Sequence, residues 1–253
     1  MKSKRISLVL LGLLIIIVSA CIKEEDTPSC SYPENAKLKR IVSCSDFDPT
    51  CPALECKDIA SIEEEYEYDS KGRLERVLVR PRYEDGILTR LFSRNLYEYN
   101  SKDQLVKIEY YSLFQDEYYI YQTNTFTYSD DGKKIKENIE SENQDNQYKL
   151  YSYSENILTR IDIYDESDVL DDYILLEYDE SGNLIKEAIH NYDGKLRYNI
   201  SHEFENGLNV ISHHATGSFT KTYDENENLV FVQSDYLSGS SKGNFKHKYE
   251  YYN

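Results

Sequence analysis

A short unit of the form Tyr-x-Tyr-Asp-x-x-Gly-x-Leu recurs through most of this 253-residue chain and constrains its fold more than any other feature. The clearest copies run over residues 66–74 and 177–184. Self-similarity along a chain is the signature of a repeat architecture, so we predict one array of like units. Aligned on the second aromatic position, the copies fall at Tyr68, Tyr99, Tyr128, Tyr153, Tyr178, Phe204, Tyr223 and Tyr251.

Each unit predicts a β-hairpin. Its two aromatic residues are two positions apart and therefore share one face of a strand. The aspartate that follows opens a turn, and the glycine supplies the left-handed position of a type I turn with a G1 bulge. Gly72, Gly132 and Gly182 are the predicted turn glycines. Asp103 and Glu227 replace the glycine in two copies, and we expect the copy with Glu227 to turn differently, because glutamate adopts this conformation less readily.

The strand count completes the fold prediction. Asp193-Gly194 and Asn206-Gly207 are dipeptides typical of two-residue type I′ hairpins. Units of two strands each give about sixteen strands, too many for a flat open sheet. We therefore predict an all-β protein, an antiparallel β-hairpin repeat array whose sheet is strongly curled or closed like a barrel. No significant helix is expected outside a signal peptide. Charged residues recur along the strands, which disfavours a membrane-spanning barrel.

The repeated unit resembles the YD repeat of RHS-type proteins. It also resembles a group of Bacteroidota surface lipoproteins built from such repeats, for which a porin-like β fold has been proposed. The resemblance covers about residues 60–253. It implies a β-repeat architecture at the cell surface and says little about a biochemical activity.

The N-terminal segment predicts a lipoprotein signal peptide over residues 1–20. A short basic stretch precedes an apolar run, residues 6–18, that is too short for a transmembrane helix. The sequence Val18-Ser19-Ala20-Cys21 resembles a lipobox, which implies that Cys21 becomes an acylated N-terminus. Each buried acyl methylene contributes roughly 0.8 kcal/mol, so two or more chains anchor stably. The alternative is an ordinary secretory signal in which Cys21 is incidental.

Three further regions follow the signal peptide. Residues 21–36 are polar and predict a lipidated, flexible tether. Residues 37–60 predict a cysteine-containing strand and loop, and residues 61–253 form the repeat domain. A lysine and two acids close behind Cys21, residues 23–25, resemble the surface-export signal of Bacteroidota lipoproteins. The expected location is therefore the outer membrane, at the cell surface, with a periplasm-facing lipoprotein as the alternative.

Four further cysteines lie early in the mature chain: Cys30, Cys44, Cys51 and Cys56. An even number in an exported protein predicts two disulfides, which could be connected in three ways. A zinc site is the competing interpretation, but a C-x-x-C pair is missing and an oxidising compartment disfavours free thiols. Among the connectivities we favour Cys44 with Cys56, which flank the loop, and Cys30 with Cys51.

The composition limits the partners. The formal net charge is −17, and removal of a basic signal peptide makes the mature chain more negative still. Such a field repels nucleic acid and anionic lipid headgroups. The expected partners are the bilayer, through acylated Cys21, and a glycan or protein. The 25 tyrosines follow the repeat, which favours a structural role over a recognition surface.

The sequence shows no catalytic motif. It lacks G-x-S-x-G, a Walker loop, H-E-x-x-H and a Rossmann fingerprint. We therefore predict a non-enzymatic binding or structural scaffold without a cofactor; the alternative is a carboxylate-dependent hydrolase acting on extracellular polymer. The histidines lack metal-ligand spacing, and no metal site is predicted from them. A candidate cation loop, which is otherwise a solvated loop, comprises Asp165, Asp168, Asp171 and Asp172.

Overall fold

A computed structural model describes residues 36–44, 59–84, 87–114, 117–224, 226–236 and 245–251. The predicted signal peptide and nearly all of the tether, with Cys21, Cys30, Cys51 and Cys56, lie outside these ranges. The strands of the described residues are β1 Leu38–Cys44, β2 Ile59–Tyr68, β3 Leu74–Val79, β4 Arg82–Glu84, β5 Ile87–Arg90, β6 Ser93–Tyr99, β7 Leu105–Phe114, β8 Glu117–Tyr128, β9 Lys134–Ser141, β10 Gln147–Ser154, β11 Ile157–Asp165, β12 Leu170–Tyr178, β13 Leu184–Asn191, β14 Leu196–Glu205, β15 Leu208–His214, β16 Gly217–Tyr223, β17 Leu229–Tyr236 and β18 Phe245–Tyr251.

Sixteen of these strands form a closed antiparallel barrel, which confirms the all-β prediction and selects closure over an open curled sheet. Around the barrel the order is β1-β18-β17-β16-β15-β14-β13-β12-β11-β10-β9-β8-β7-β6-β3-β2. Strand β1 pairs with both β18 and β2, and the first of these pairings closes the barrel. Strands β4 and β5 form a separate hairpin in the connection between β3 and β6. The described part of the chain contains no helix with the length and hydrophobicity that a membrane crossing needs.

The repeat turns that follow Tyr68, Tyr99, Tyr128, Tyr178 and Tyr223 share one hydrogen-bonded geometry. In the first unit, the Asp69 N–H donates to the Arg73 carbonyl oxygen, and the Gly72 N–H donates to the Asp69 carbonyl oxygen. The Asp69 carboxylate accepts the N–H groups of Lys71 and Arg73, each at 2.9 Å. The turn glycines lie in the left-handed region, with φ of 79° at Gly72, 86° at Gly132 and 85° at Gly182.

The copy with Glu227 turns in the same way, so the expectation of a different turn was wrong. Glu227 has a φ of 64°, and its N–H donates to the Asp224 carbonyl oxygen at 3.1 Å. The Asp224 carboxylate accepts the N–H groups of Asn226 and Asn228. The aspartate at the start of the turn therefore fixes this geometry even where the glycine is missing.

The dipeptide Asp193-Gly194 also differs from its prediction. The Asn191 N–H donates to the Lys195 carbonyl oxygen and the Gly194 N–H donates to the Asn191 carbonyl oxygen, as in the repeat turns. Gly194 has a φ of 87°, but Asp193 keeps a negative φ, so a type I′ turn is not formed. Asn206-Gly207 does form the two-residue hairpin, with φ of 51° and 83°.

The cross-strand register places the first and second aromatic positions of the repeat on the inner face of the barrel. Burial raises the pKa of both Tyr97 and Tyr249, and the Glu64 carboxylate adds to each shift. Tyr97 on β6 and Tyr249 on β18 are each two strands from Glu64 on β2. Backbones two strands apart are separated by roughly 10 Å, so such side chains approach one another on a concave surface. This face therefore lines the interior.

The opposite, outer face carries ion pairs between directly paired residues. The same position of three units forms one: Glu67 with Arg76 at 3.0 Å, Glu98 with Lys107 at 2.6 Å, and Glu177 with Lys186 at 2.7 Å. These side chains are mostly half-exposed, as expected for a face in contact with water. The repeat thus encodes an inner aromatic position and an outer charged position at neighbouring residues.

The connections alternate between the two ends of the barrel. All the repeat turns lie at one end, which we call the turn rim, and β1 begins there. The hydroxyl of Tyr68 donates to the carbonyl oxygen of Leu38, the first residue of β1, at 2.9 Å. The chain that precedes β1 therefore enters the barrel at the turn rim.

Candidate functional site

Two glutamates interrupt an apolar position of the repeat. The residue that pairs with the first aromatic position across the hairpin is a β-branched aliphatic in four units: Val77, Ile108, Ile161 and Val232. In two others it is Glu137, opposite Phe126, and Glu187, opposite Leu176. A carboxylate on the inner face is costly unless other groups compensate it. Hydrogen-bonding side chains surround both glutamates.

The first group, the Glu187 cluster, comprises Glu187, His202, Asn209, Ser212 and Lys221. His202 lies between two of the others, with Nε2 at 3.1 Å from Glu187 Oε1 and Nδ1 at 3.0 Å from Ser212 Oγ. The Asn209 amide nitrogen is 3.1 Å from the same Nδ1. If Nδ1 accepts the amide N–H, the proton of the neutral ring lies on Nε2 and is donated to Glu187.

Lys221 completes this cluster from strand β16. Its Nζ donates to Asn209 Oδ1 and to Ser212 Oγ, each at 3.0 Å. Burial lowers the pKa of the Lys221 ammonium. Ser212 is buried, whereas 29% of the Glu187 side chain is exposed, so solvent reaches one edge of the cluster. His202 and Lys221 both stand at the first aromatic position of their units, where other copies carry tyrosine.

The second group, the Glu137 cluster, holds its carboxylate between two ammonium groups. Lys134 Nζ lies 3.4 Å from one carboxylate oxygen and Lys149 Nζ 3.8 Å from the other. The Tyr151 hydroxyl and the Asn124 amide also donate to Glu137, the amide at 2.7 Å. Burial alone would raise the pKa of Glu137, but the hydroxyl, the two ammonium groups and the amide outweigh it and lower the pKa. Glu137 is therefore ionised at neutral pH.

The Glu187 cluster contains the residue types of a serine nucleophile, a base and an orienting acid. Its hydrogen bonds nevertheless favour binding over acyl transfer. The Ser212 hydroxyl oxygen already accepts from Lys221, and it also lies 3.2 Å from Asn209 Oδ1, to which it can donate. The His202 nitrogen that would take the serine proton is also a hydrogen-bond partner of the Asn209 amide. Ser212 lies within strand β15 and only 4% of it is exposed, which leaves little access for a substrate carbonyl.

The structure does not gather the candidate cation loop into a site. Asp165 and Asp168 form a turn of the repeat geometry, in which the Asp168 N–H donates to the Asp165 carbonyl oxygen and Asp168 takes the left-handed position with a φ of 62°. Asp171 and Asp172 are consecutive on β12 and so point to opposite faces. Across the described ranges, no three acidic, histidine or cysteine side chains are grouped as a metal site would require.

The lipidation and disulfide residues remain predictions. Cys21, Cys30, Cys51 and Cys56 are outside the described residues. Cys44 is the last residue of strand β1, which lies within residues 37–60, where the sequence predicts a strand and a loop.

Sequence reasoning missed both inner-face clusters. It considered the histidines for metal binding and did not connect His202 with Glu187 or Lys221. The useful signal was the pattern of departures from the repeat. His202 and Lys221 replace aromatics and Glu187 replaces an aliphatic, and these exceptions come together from β14, β16 and β13.

Comparisons with known proteins give only distant likenesses. No protein family and no curated protein matches the sequence. Among solved structures, a porin-like protein from Bacteroides uniformis is 12% identical over 75% of this chain and 94% of its own, with a TM-score of 0.41. A porin-like protein from Bacteroides vulgatus is 10% identical over 86% of this chain and 99% of its own, with a TM-score of 0.34.

A third likeness is to a chain in the crystal structure of TcdB2-TccC3-Cdc42. It is 15% identical over 80% of this chain, with a TM-score of 0.35. This chain spans only 10% of the length of that protein. Because these TM-scores are low, we define the class of the protein by its own geometry. It is a closed antiparallel barrel of hairpin repeats with two polar clusters on its inner face.

Proposed function

We propose that this protein is a non-enzymatic, lipid-anchored β-barrel scaffold of the outer membrane that binds a ligand on its inner face. The observation that carries the binding role is the replacement of an aliphatic repeat position by Glu137 and Glu187, each surrounded by polar partners. A barrel that served only as scaffold would gain stability from an aliphatic residue at these positions. We therefore attribute the carboxylates of Glu137 and Glu187 on the inner face to ligand binding.

The anchoring role is supported by the sequence at Cys21 and by the outer face. Exposed ion pairs such as Glu98 with Lys107 and Glu177 with Lys186 suit a barrel wall in water. A wall in lipid would present apolar side chains outward along each strand. Membrane attachment therefore falls to the acylated Cys21, and the tether joins the barrel at the turn rim.

Replacement of the lipidated cysteine tests the anchor. Cys21→Ala should move the protein from the membrane fraction to the soluble fraction, because the thiol that accepts the lipid is lost. Cys30→Ala is the matched control and should stay in the membrane fraction. If Cys21→Ala still sediments with membranes after a carbonate wash, the anchor is not at this residue.

Surface exposure needs a separate test. Triple replacement of Lys23, Glu24 and Glu25 by alanine should leave the protein in the membrane fraction but shield it from protease added to intact cells. The wild-type protein should be digested under the same conditions. Equal digestion of the two proteins would reject residues 23–25 as an export signal and leave the anchor untouched.

Hydrolysis is the second candidate function, because His202 contacts both Ser212 and Glu187. In that case a fluorophosphonate probe should label the wild-type protein and fail to label Ser212→Ala. We expect no labelling, since the Ser212 oxygen is buried and already hydrogen bonded to Lys221. Labelling that depends on Ser212 would replace the binding proposal with an esterase-like activity.

A further inference from the structure

Lys221 is a partly buried cation whose hydrogen-bond partners are neutral. Its Nζ contacts the Asn209 carbonyl-type oxygen and the Ser212 hydroxyl, both at 3.0 Å. Within the described part of the chain, no carboxylate lies within ion-pair distance of it. Desolvation of an ammonium without a counter-charge is unfavourable, and burial accordingly lowers its pKa. An ammonium has three N–H donors, and two are used here.

In the Glu137 cluster the carboxylate forms ion pairs with lysines, whereas in the Glu187 cluster it does not. The glutamates occupy equivalent positions of their units, opposite the first aromatic position. Glu137 lies between the ammonium groups of Lys134 and Lys149. Glu187 instead accepts from His202, on the opposite side of the imidazole from Ser212. The His202 imidazole therefore separates the Glu187 carboxylate from Ser212 and Lys221. Among the described residues, Lys221 is not paired with a carboxylate in the way that Lys134 and Lys149 are paired with Glu137.

Lys221 and the polar groups around it come from three adjacent strands. Asn209 and Ser212 lie on β15, Lys221 on β16 and His202 on β14. The Asn209 amide has a second N–H besides the one directed at His202. A carboxylate or phosphate oxygen placed here would accept charge-assisted hydrogen bonds, which are about twice as strong as neutral ones.

We propose that Lys221 and Asn209, held in place by the buried Ser212, bind the anionic group of a small ligand, a carboxylate or a phosphate, on the inner face. The ligand supplies Lys221 with the counter-charge that Glu137 supplies to Lys134 and Lys149. This inference rests on the proposed binding function and adds its ligand class. The source of the anion is either an acidic sugar or a free phosphate, and these are the two arms of the test.

The experiment uses the full chain purified in detergent and follows its melting temperature. Sodium glucuronate and inorganic phosphate are the anionic probes, and glucose is the neutral one, with sodium chloride matching the ionic strength. A single desolvated ion pair predicts a dissociation constant on the order of 1 mM. An anion at about 100 times that constant should raise the melting temperature by several degrees, because it binds only the folded state. The anion that gives the larger rise identifies the source.

Variants connect the effect to the cluster. Lys221→Met should abolish the rise or weaken affinity at least tenfold, and Lys221→Arg should retain it. Lys186→Met is the matched control, since it removes the same charge from the outer face and should respond like the wild type. If Lys221→Met fails to fold, NMR titration of the ¹⁵N-labelled wild type replaces it, and the side-chain amide resonances of Asn209 should shift with the anion.

Three results would overturn the inference: no stabilisation by either anion, an equal effect of glucose, or a Lys221→Met variant that responds like the wild type. Each would leave anchoring through Cys21 standing. Conversely, a Cys21→Ala variant that remains membrane-bound would reject the anchor at Cys21. It would not change the rise in melting temperature that we expect from the anions. The two proposals therefore fail separately.

Discussion

The hydroxyl of Tyr99 donates a hydrogen bond of 2.9 Å to the carbonyl oxygen of Leu74, the first residue of strand β3. Strands β3 and β6 are neighbours in the barrel but belong to successive hairpins. The second aromatic of a unit thus joins its hairpin to the preceding one. The same bond recurs from Tyr68 to Leu38, Tyr128 to Leu105, Tyr153 to Lys134 and Tyr223 to Asn209.

Removal of one such hydroxyl should cost stability without loss of the fold. Tyr99→Phe should lower the free energy of unfolding by about 0.5–1.5 kcal/mol, because a part-buried carbonyl oxygen loses its donor. Tyr178→Phe is the matched control, since the Tyr178 hydroxyl makes no such bond to another described residue. Urea denaturation measures both. An equal loss in the two variants would mean that the hydroxyl bond is not the source of the effect.

The turn glycine gives a second prediction. Gly182→Val should destabilise the protein by roughly 1–2 kcal/mol, since Gly182 has a φ of 85° and a branched side chain disfavours this region. A Cβ at Gly182 would meet no atom within 4 Å, so the cost comes from the backbone alone. Gly182→Asn should cost much less, because asparagine tolerates the left-handed region.

Glu227 provides the reverse experiment. It holds the equivalent position with a φ of 64°, so Glu227→Gly should raise the melting temperature slightly. A fall in melting temperature would show that the Glu227 side chain makes a stabilising contribution that outweighs backbone strain. Differential scanning calorimetry of Gly182→Val, Gly182→Asn and Glu227→Gly in parallel gives the comparison.

The Glu137 cluster predicts a defined dependence of stability on pH. The folded protein lowers the pKa of Glu137, whereas an unfolded glutamate titrates near pH 4.3. Its contribution to stability is therefore fully present above about pH 4.3 and is lost as the pH falls through the lowered folded pKa. Glu137→Gln should cost about 1–3 kcal/mol at pH 7, because charge-assisted hydrogen bonds are lost.

Measurement of unfolding at several pH values distinguishes this effect from simple loss of packing. The difference between wild type and Glu137→Gln should shrink in acid, once the wild-type carboxylate is also protonated. A difference that stays constant down to pH 3 would indicate that the ionised carboxylate is not responsible.

The outer-face ion pairs should matter much less. Glu177→Gln should change the free energy of unfolding by less than about 1 kcal/mol, because Glu177 and Lys186 are largely exposed. The change should diminish further in 1 M salt, where charges are screened within about 3 Å. A large, salt-independent loss would contradict the assignment of this face to solvent.

The cysteines give a covalent prediction. Two disulfides among Cys30, Cys44, Cys51 and Cys56 should leave no titratable thiol among them in the exported, denatured protein. Each bridge should contribute roughly 2–4 kcal/mol to stability. Mass spectrometry after proteolysis determines the connectivity, and four alkylated thiols without prior reduction would exclude the bridges.

The architecture was accessible from the sequence because it is local and repeated. Tyr66 and Tyr68 share a face by strand periodicity, and Gly72 follows from the φ of its turn. The number of strands then follows from counting units. Closure itself needed the pairing of β1 with β18, which a repeat pattern leaves open.

The inner-face clusters depend on contacts between units and were not accessible in that way. Glu187, His202 and Lys221 are separated along the chain, and their proximity follows from the register of β13 to β16. The outer ion pairs, such as Glu67 with Arg76, lie within one hairpin and could have been found by aligning charged positions as well as aromatic ones.

The seam between β1 and β18 has a consequence for biogenesis. During synthesis the N-terminal strand emerges early, whereas its partner on one side emerges only after all the intervening hairpins. Until then both edges of the growing sheet present unpaired backbone groups, which other chains can recruit. Closure is also a contact between residues far apart in sequence, such as Ile41 and Tyr249, and is therefore expected to be slow. Assembly of this barrel is thus most vulnerable just before its last strand is available.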